Sequence, residues 1–268
     1  MYEDVIKRIK KLELGHKKRK KEFVKYYTKF FREHSDTITN PMRYLYEESA
    51  YEVFMKNMKS NILSLDDLYY FDFMIDLLIK EVKYSSLLEI NRDNPMGRFI
   101  YPFHRMNSTL TGYVREGTLQ VDLSDNNLIS SPWNHNRYKG IRNWLSTHDF
   151  QYDKQNHRAY YYDYINITCA YNGYHSLGVG TYLGNWTIEA HYFDTTKIFP
   201  YVEANDDLSF SYNKKNVLER LGKEGIETDA RMEQELNRRL YGTDYRLILL
   251  YKLCQQKYFM EKSGEWKW

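Results

Sequence analysis

The chain has 268 residues, of which 42% are hydrophobic and 28% charged, with a formal net charge of +3. This composition is typical of a soluble globular protein, and because no apolar run approaches the roughly 20 residues that span a bilayer and no secretory signal is present, we expect a cytoplasmic protein without a membrane partner. The two cysteines, Cys169 and Cys254, are too few for a disulfide framework or a thiolate zinc site.

The first part of the chain, residues 1–92, is predicted to be helical. Apolar residues recur at near-helical spacing, Asn40 precedes Pro41 as an N-cap signal, and Ser64 with Asp67 forms a capping box. The first 21 residues also hold a cluster of lysines and arginines. Such a cluster either binds the phosphates of a nucleic acid or is a solvated helix face, and the solvated face is the preferred interpretation.

The periodicity changes after a turn cluster at residues 91–97. Short β-branched and aromatic runs then predict strands in "RFIYPF", "TGYVREGTLQVDLS", "NLISS", "AYYYDYINITCAY", "WTIEAHYF" and "LSFSYN". Between the third and fourth runs, Tyr138, Ile141, Trp144 and Leu145 share one helical face. This region, residues 93–213, is therefore predicted to alternate strands with helices.

Helical spacing returns in residues 214–268. Val217, Leu218 and Leu221 predict one helix, Met232, Leu236 and Leu240 a second after Thr228 and Asp229, and Leu247 to Met260 a third after Gly242. The fold class is therefore α+β, in which helical N-terminal and C-terminal regions enclose a small mixed β-core.

The stretch "CAYNGYHSLGVGTYLGNWTIEA", residues 169–190, crowds glycines between two predicted strands. Glycines at such a density either bring the backbone close to a ligand or pack a turn tightly against the sheet. A turn from a strand into a helix also presents backbone N–H groups, which suit a phosphate. The stretch is thus a candidate binding turn.

The pattern Asn172-Gly173-Tyr174-His175-Ser176, followed by Gly180, Gly184 and Ile188, resembles the D-G-x-H-R motif of the ParB/sulfiredoxin superfamily. Upstream, Asn136 and Arg137 stand where ParB-like families carry an N-P-R element. The resemblance covers about residues 125–195 and extends to uncharacterised bacterial proteins with an N-G-x-H-S form.

The resemblance implies a small mixed ParB/sulfiredoxin-like β-core that binds phosphate through this turn. The implied binding residues are Asn172, Gly173, Tyr174, Ser176, Leu177, Asn136 and Arg137, with His175 donating to a phosphate oxygen. The departures restrict the activity. Ser176 replaces the motif arginine and removes a fixed cation, and Tyr174 replaces the sulfiredoxin cysteine, which disfavours sulfinic acid repair. A partition-type DNA-binding helix-turn-helix is not evident.

Two further segments carry candidate chemistry. "WNHNR" contains His135 and Arg137, and "DKQNHR" contains Asp153, Asn156, His157 and Arg158. His157 beside Asp153 is a candidate general base, and Arg137 a candidate replacement for the missing cation. Each is also a common structural residue, and for His135 the structural interpretation is preferred. No metal-ligand spacing is present. The tyrosines of "AYYYDY" are interpreted as packing residues rather than a base-stacking platform.

Two functional hypotheses follow. The first is a nucleotide- or nucleic-acid-processing enzyme, a phosphotransferase, NTPase or nuclease, with His175, His157 and Asp153 as catalytic residues and ATP or CTP with magnesium as the candidate cofactor. The second is a non-catalytic ligand-sensing or protein-interaction module of an accessory or defence-related kind, such as phage defence. Partners would be a nucleotide, a nucleic acid at the basic N-terminus, another protein or a second copy of the chain.

Overall fold

The computed structural model describes residues 68–88, 101–124, 127–184, 186–241 and 244–263. All of them lie in the second of the chain's two structural units, residues 50–268. The helices predicted before residue 68, the basic N-terminal cluster and the turn cluster at residues 91–97 lie outside the described residues. Among the described helices, none is both long enough and apolar enough to cross a membrane.

The described helices and strands alternate along the middle of the chain, as the pattern predicted. The helices are α1 (Leu68–Leu88), α2 (Ser108–Thr111), α3 (His135–Leu145), α4 (Tyr174–Leu183), α5 (Lys214–Lys223), α6 (Ala230–Leu236) and α7 (Tyr245–Ser263). The strands are β1 (Glu116–Asp122), β2 (Leu128–Ile129), β3 (Arg158–Asp163), β4 (Ile167–Asn172), β5 (Thr187–Asp194), β6 (Val202–Ala204), β7 (Ser209–Tyr212) and β8 (Leu240–Tyr241). The fold class is α+β.

The larger sheet is mixed and has five strands in the order β1-β5-β3-β4-β2. β3 pairs antiparallel with β4 and parallel with β5, while β1 is antiparallel to β5 and β2 parallel to β4. The register sets Ala159 beside Ala170 and Tyr160 beside both Cys169 and His191. Because successive side chains in a strand point to opposite faces, these pairs separate the two faces of the sheet.

The first face of the large sheet packs against α4. Its core joins Leu177 of α4 to small and branched side chains in or next to the strands, Val121, Leu123, Leu128, Ala159, Ala170, Ile188 and Ala190. Alanines at the centre let the helix approach closely, and a Cβ on Gly180 would lie 2.5 Å from Leu123 Cδ1 and 2.9 Å from Trp186 Cε3. Gly180 is therefore a packing residue, required because the helix lies so near the sheet.

The second face of the sheet is covered by an aromatic core. Tyr162 meets Tyr101 edge to face with 5.0 Å between ring centroids, and Tyr101 in turn packs on Phe103, Phe210 and Tyr251. The buried hydroxyls find acceptors, since Tyr101 donates to Leu247 O at 2.7 Å and Tyr251 to Val202 O at 2.9 Å. Edge-to-face rings with satisfied hydroxyls explain why so many tyrosines can be buried.

A second sheet of three strands, in the order β6-β7-β8, packs with α7 on this side. Two ion pairs join α7 to α1, from Arg246 to Glu81 and from Lys257 to Asp72. Asp244, which is also buried, accepts from Arg246. The predicted domain boundary at residue 213 stays a prediction, but the small sheet has strands on both sides of it.

Three local predictions are wrong. "RFIYPF" was predicted as a strand, but a 3-10 turn, Pro102–Arg105, begins inside it because proline suits a first helical turn. "AYYYDYINITCAY" was predicted as one strand, but it is a hairpin whose turn contains Tyr164 and Asn166 at positive φ. Leu240 was assigned to a helix, yet α6 ends at Leu236, and Leu240 pairs with Phe210 in β8.

Candidate functional site

The turn between β4 and α4 depends on Gly173. Its φ is 75° and its ψ 24°, which is the left-handed region. A Cβ at this position would lie 2.5 Å from the carbonyl oxygen of Asn156 and 2.9 Å from Cδ2 of His157. The turn formed by residues 153–157 therefore packs directly against the start of α4. Glycine is required here by both the conformation and the close approach.

The first turn of α4 has no capping side chain. The N–H of Gly173 donates to Asn172 Oδ1 at 3.0 Å, and the N–H of Leu177 donates to Gly173 O at 2.9 Å as the first intrahelical bond. The prediction that Leu177 offers a backbone donor to a ligand is therefore wrong. Among the described residues, no acceptor is present for the N–H groups of His175 and Ser176.

Asp153 and His157 are joined to this turn by a chain of hydrogen bonds. The Asp153 carboxylate accepts from the Gln155 N–H at 2.8 Å and from Asn156 Nδ2 at 2.5 Å, and these bonds lower the pKa of Asp153. The Asp153 N–H donates to His157 Nδ1 at 2.9 Å, and His157 Nε2 lies 3.0 Å from Ser176 Oγ. The carboxylate thus shapes the turn, and only the backbone of Asp153 holds the imidazole.

These hydrogen bonds assign the tautomer of His157. Because Nδ1 accepts a backbone N–H, the neutral ring carries its proton on Nε2, and Nε2 donates to Ser176 Oγ. Ser176 Oγ in turn donates to Gly173 O at 3.1 Å. Partial burial lowers the pKa of His157, which keeps the ring neutral. A serine nucleophile needs a base that accepts its proton, so this pair is not arranged as an activated serine.

His175 is buried, with only 7% of its surface exposed. Its Nε2 accepts from the Asn134 N–H at 3.1 Å, so the neutral ring carries its proton on Nδ1. Burial, and then the nearby charge of Arg137, lower the pKa of His175. His175 therefore connects the start of α4 to the start of α3. No described residue accepts a hydrogen bond from Nδ1, which leaves this atom as the donor that the sequence predicted.

Asn136 and Arg137 lie in the first turn of α3, next to α4. Both are exposed, and the Arg137 guanidinium lies 5.8 Å from the ring centroid of Trp133. Within the described ranges, Arg137 makes no ion pair. The structure thus brings Arg137 close to His175, while His135 is an exposed residue that begins α3 and Arg158 begins β3 opposite Asn172.

Three residues that organise this site were not predicted from the sequence. Asn134 caps α3, since its Oδ1 accepts from the Arg137 N–H at 2.9 Å, and an asparagine directly before a predicted helix is a recognisable cap signal. Ser130 donates to Tyr174 O at 2.6 Å, and Trp133 meets the His175 ring edge to face. No sequence signal identifies the last two contacts, because they depend on the packing of α3 against α4.

The side chain of Tyr174 makes its contacts within the protein. The Tyr174 hydroxyl donates to Tyr171 O at 2.8 Å, and its ring packs on the core of the first sheet face. Its side chain is therefore structural.

In the part of the chain that the structure describes, no group of three or more His, Cys, Asp or Glu side chains could hold a metal ion. Cys169 and Cys254 are buried, and burial raises the pKa of both thiols.

Comparison with known proteins identifies one family. The model of a family of unknown function, DUF6710, matches residues 7–223. Because that range covers most of the chain, the protein belongs to this family. No curated protein and no solved structure matches the chain.

Proposed function

We propose that this member of the DUF6710 family binds the phosphate of a nucleotide at the start of α4 and does not transform it. The proposal selects the non-catalytic of the two hypotheses drawn from the sequence. It assigns the anion to the N–H groups of His175 and Ser176, with Nδ1–H of His175 and the guanidinium of Arg137 as further donors.

The absence of a cap on α4 carries the proposal. The described helices α2, α3, α5 and α6 each begin on an Asn or Asp whose side chain accepts a first-turn N–H, from Asn107, Asn134, Asn213 and Asp229. α4 begins on Gly173 with no such acceptor and no acidic residue in its first turn. First-turn N–H groups and the helix dipole together favour a bound anion at such a position.

The charged side chains around the turn favour a bound anion. Arg137 lies close enough to lower the pKa of His175, and no described carboxylate pairs with it. The nearest acidic group of the adjoining turn, Asp153, is already hydrogen bonded to Gln155 and Asn156. The resemblance to the ParB/sulfiredoxin superfamily supports the same location, because that superfamily binds nucleotide phosphates over the corresponding turn.

The hydrogen bonds favour binding over chemistry. Both histidines of the site accept a backbone N–H with one ring nitrogen, and both have pKa values lowered by burial. Neither is arranged to take a proton from Ser176, and Ser176 stands where the related motif has an arginine. One observation keeps a catalytic alternative, a contact of 3.0 Å between His157 Nε2 and Ser176 Oγ. Catalysis by this pair would require the tautomer of His157 that carries its proton on Nδ1, so that Nε2 could accept the proton of Ser176.

Calorimetric titration of the full chain with ATP, CTP, GTP and pyrophosphate, with and without magnesium, tests the proposal. The decisive variant is Ser176→Asp, which places a carboxylate where the phosphate would lie. A carboxylate in the first turn stabilises a helix by about 0.3–1 kcal/mol, so folding is preserved while anion binding is expected to disappear. The matched control Ser176→Asn has nearly the same shape without the charge and should retain binding.

Arg137→Gln is expected to weaken nucleotide affinity about tenfold, the effect of losing one charge-assisted contact. Arg142→Gln, on the same helix, is its control and should change little. Chromatography of the nucleotides after incubation separates binding from chemistry. Unchanged nucleotide supports the proposal, whereas hydrolysis that His157→Gln abolishes would establish the catalytic alternative. If none of the four ligands binds the wild type, the phosphate site is wrong.

A further inference from the structure

A cleft lies on the face of the large sheet opposite α4. It has a volume of about 320 Å³ and opens between the sheet and the segment that contains α2. Tyr160 and Phe193 line it from β3 and β5, whereas the neighbouring Ala159 packs on the α4 side. A volume of this size lies at the small end of the range for cavities that bind small molecules. We name it the Arg115 cleft.

The floor of the Arg115 cleft is aromatic and buried. Phe103, Tyr113 and Phe193 each have less than one tenth of their surface exposed, and Tyr113 stacks on Phe193 with 4.6 Å between centroids. Tyr160 stands at the side, stacked on Tyr171 at 4.5 Å. Parallel and edge-on ring faces around a narrow space select a flat ring, because offset-stacked and edge contacts between rings are both favourable.

The mouth of the cleft carries positive charge. Arg115 is exposed, and its guanidinium lies 5.8 Å from the centroid of the Tyr160 ring. In the described part of the chain Arg115 makes no ion pair, whereas the adjacent Glu116 pairs with Lys197, which also lies 3.6 Å from Asp194. The carboxylate next to Arg115 in the chain therefore already has a cationic partner. A guanidinium in this position can bind a carboxylate or phosphate through two parallel hydrogen bonds.

A polar atom beside the cleft also lacks a partner. His191 lies next to Tyr160 in the sheet, with 5.7 Å between the ring centroids, and its Nδ1 is buried without a hydrogen bond. Buried nitrogen atoms are nearly always hydrogen bonded in native proteins. His191 is not part of the cleft lining, and the proposal depends on Arg115 and the aromatic floor.

From this combination we infer that the Arg115 cleft binds a small molecule with one flat aromatic ring and one anionic group. The ring lies against Tyr160 and Phe193, and the anion contacts Arg115 at the mouth. The anion is a carboxylate or a monophosphate, since a guanidinium recognises both. This site is separate from the phosphate site at α4, because the two lie on opposite faces of the large sheet.

Titration of the full chain with four probes tests the inference. Phenylacetate and phenyl phosphate carry both features and distinguish the two anions, phenylacetamide has the ring without the charge, and acetate has the charge without the ring. At least one of the two aromatic anions should bind, with phenylacetamide and acetate each at least about tenfold weaker, because each loses one class of contact. If phenylacetamide bound as tightly as the better of the two aromatic anions, the assignment of the anion to Arg115 would be overturned.

Two variants locate the site. Arg115→Gln should weaken binding of the aromatic anion about tenfold, whereas Arg105→Gln, an exposed neighbour outside the lining, should have no effect. Ser108→Trp fills the cleft from its exposed rim without a change in the buried floor and should abolish binding. If no aromatic anion binds, or if Ser176→Asp abolishes binding and Arg115→Gln does not, the inference is wrong. The second of these results would leave the proposed function intact.

Discussion

The neighbouring helices α3 and α4 begin in opposite ways. α3 begins after Asn134, whose side chain accepts the Arg137 N–H, and α4 begins after Gly173, which offers no acceptor. The two starts are joined, because the Asn134 N–H donates to His175 Nε2. One asparagine thus caps its own helix with its side chain and holds the first turn of the next helix with its backbone.

The difference shows how a helix start with a capping side chain can hold a neighbouring helix start that has none. The cap on α3 is complete within the protein, so its first turn is stabilised without a ligand. The first turn of α4 is held in place from outside, by the close approach of Asn156 and His157 to Gly173 and by His175. The N–H groups of His175 and Ser176 therefore have no acceptor among the described residues, while the backbone around them is held in place. A preformed site of this kind loses little conformational entropy when a ligand binds.

The largest effect is expected from a methyl group added at Gly173, and Gly140 inside α3 provides the comparison. Gly173→Ala forces a left-handed residue to carry a Cβ that would lie 2.5 Å from a carbonyl oxygen, and we expect a loss of about 2–4 kcal/mol in the free energy of unfolding. Gly140→Ala, inside α3, adds a Cβ that meets nothing within 4 Å beyond the nearby backbone of its own helix, and it should stabilise the protein by about 0.5–1 kcal/mol. Urea denaturation measures both.

These two variants together form one test of the comparison. Equal changes in the free energy of unfolding would mean that residues 153–157 do not pack closely against the start of α4. A loss for Gly173→Ala with a gain for Gly140→Ala would confirm that the two glycines serve different purposes.

A smaller effect is expected at the cap of α3. Asn134→Ala removes the acceptor for the Arg137 N–H and should cost about 1 kcal/mol, whereas Asn134→Asp keeps the acceptor and should cost little. The backbone bond to His175 is present in both variants. Stability that is the same for the alanine and aspartate variants would contradict the role of Asn134 as a cap.

The smallest effect is a dependence of stability on pH. Burial lowers the pKa values of His157 and His175 below the ordinary 6.5. As the pH falls, these two histidines therefore bind protons in the unfolded chain before they do so in the folded chain. Their contribution to the free energy of unfolding is fully present above a pH of about 6.5 and declines below it until the folded pKa values are passed. His175→Gln should make this decline shallower, because it removes one of the two histidines whose pKa is lowered. An equal decline in wild type and His175→Gln would rule out the burial argument.

The same histidines offer a test that does not depend on stability. His157 is expected to carry its proton on Nε2 and His175 on Nδ1, because their other nitrogens accept backbone N–H groups. Nitrogen NMR of the two imidazoles distinguishes these tautomers directly. If His157 carried its proton on Nδ1, Nε2 would be able to accept the Ser176 proton, and the catalytic hypothesis would regain support.

Much of the fold was determined locally and could be predicted from the sequence. The apolar spacing of α3, α5 and α7 and the β-branched and aromatic runs of β1 and β5 follow from periodicity, which each segment carries by itself. The glycine-rich turn was also recognisable, because its glycines lie between a predicted strand and a predicted helix. These features depend on neighbours only a few positions away in the chain.

Other features were decided by contacts between distant segments. β8 is a strand only because it pairs with β7, and the turn at Tyr164 and Asn166 contains neither glycine nor proline as a signal. At the site, the sequence placed Asp153 beside His157 as an acid–base pair. Tertiary packing instead directs a backbone N–H at His157 and another at His175, which sets both tautomers. Hydrogen-bond direction depends on three-dimensional geometry, and residue spacing does not encode it.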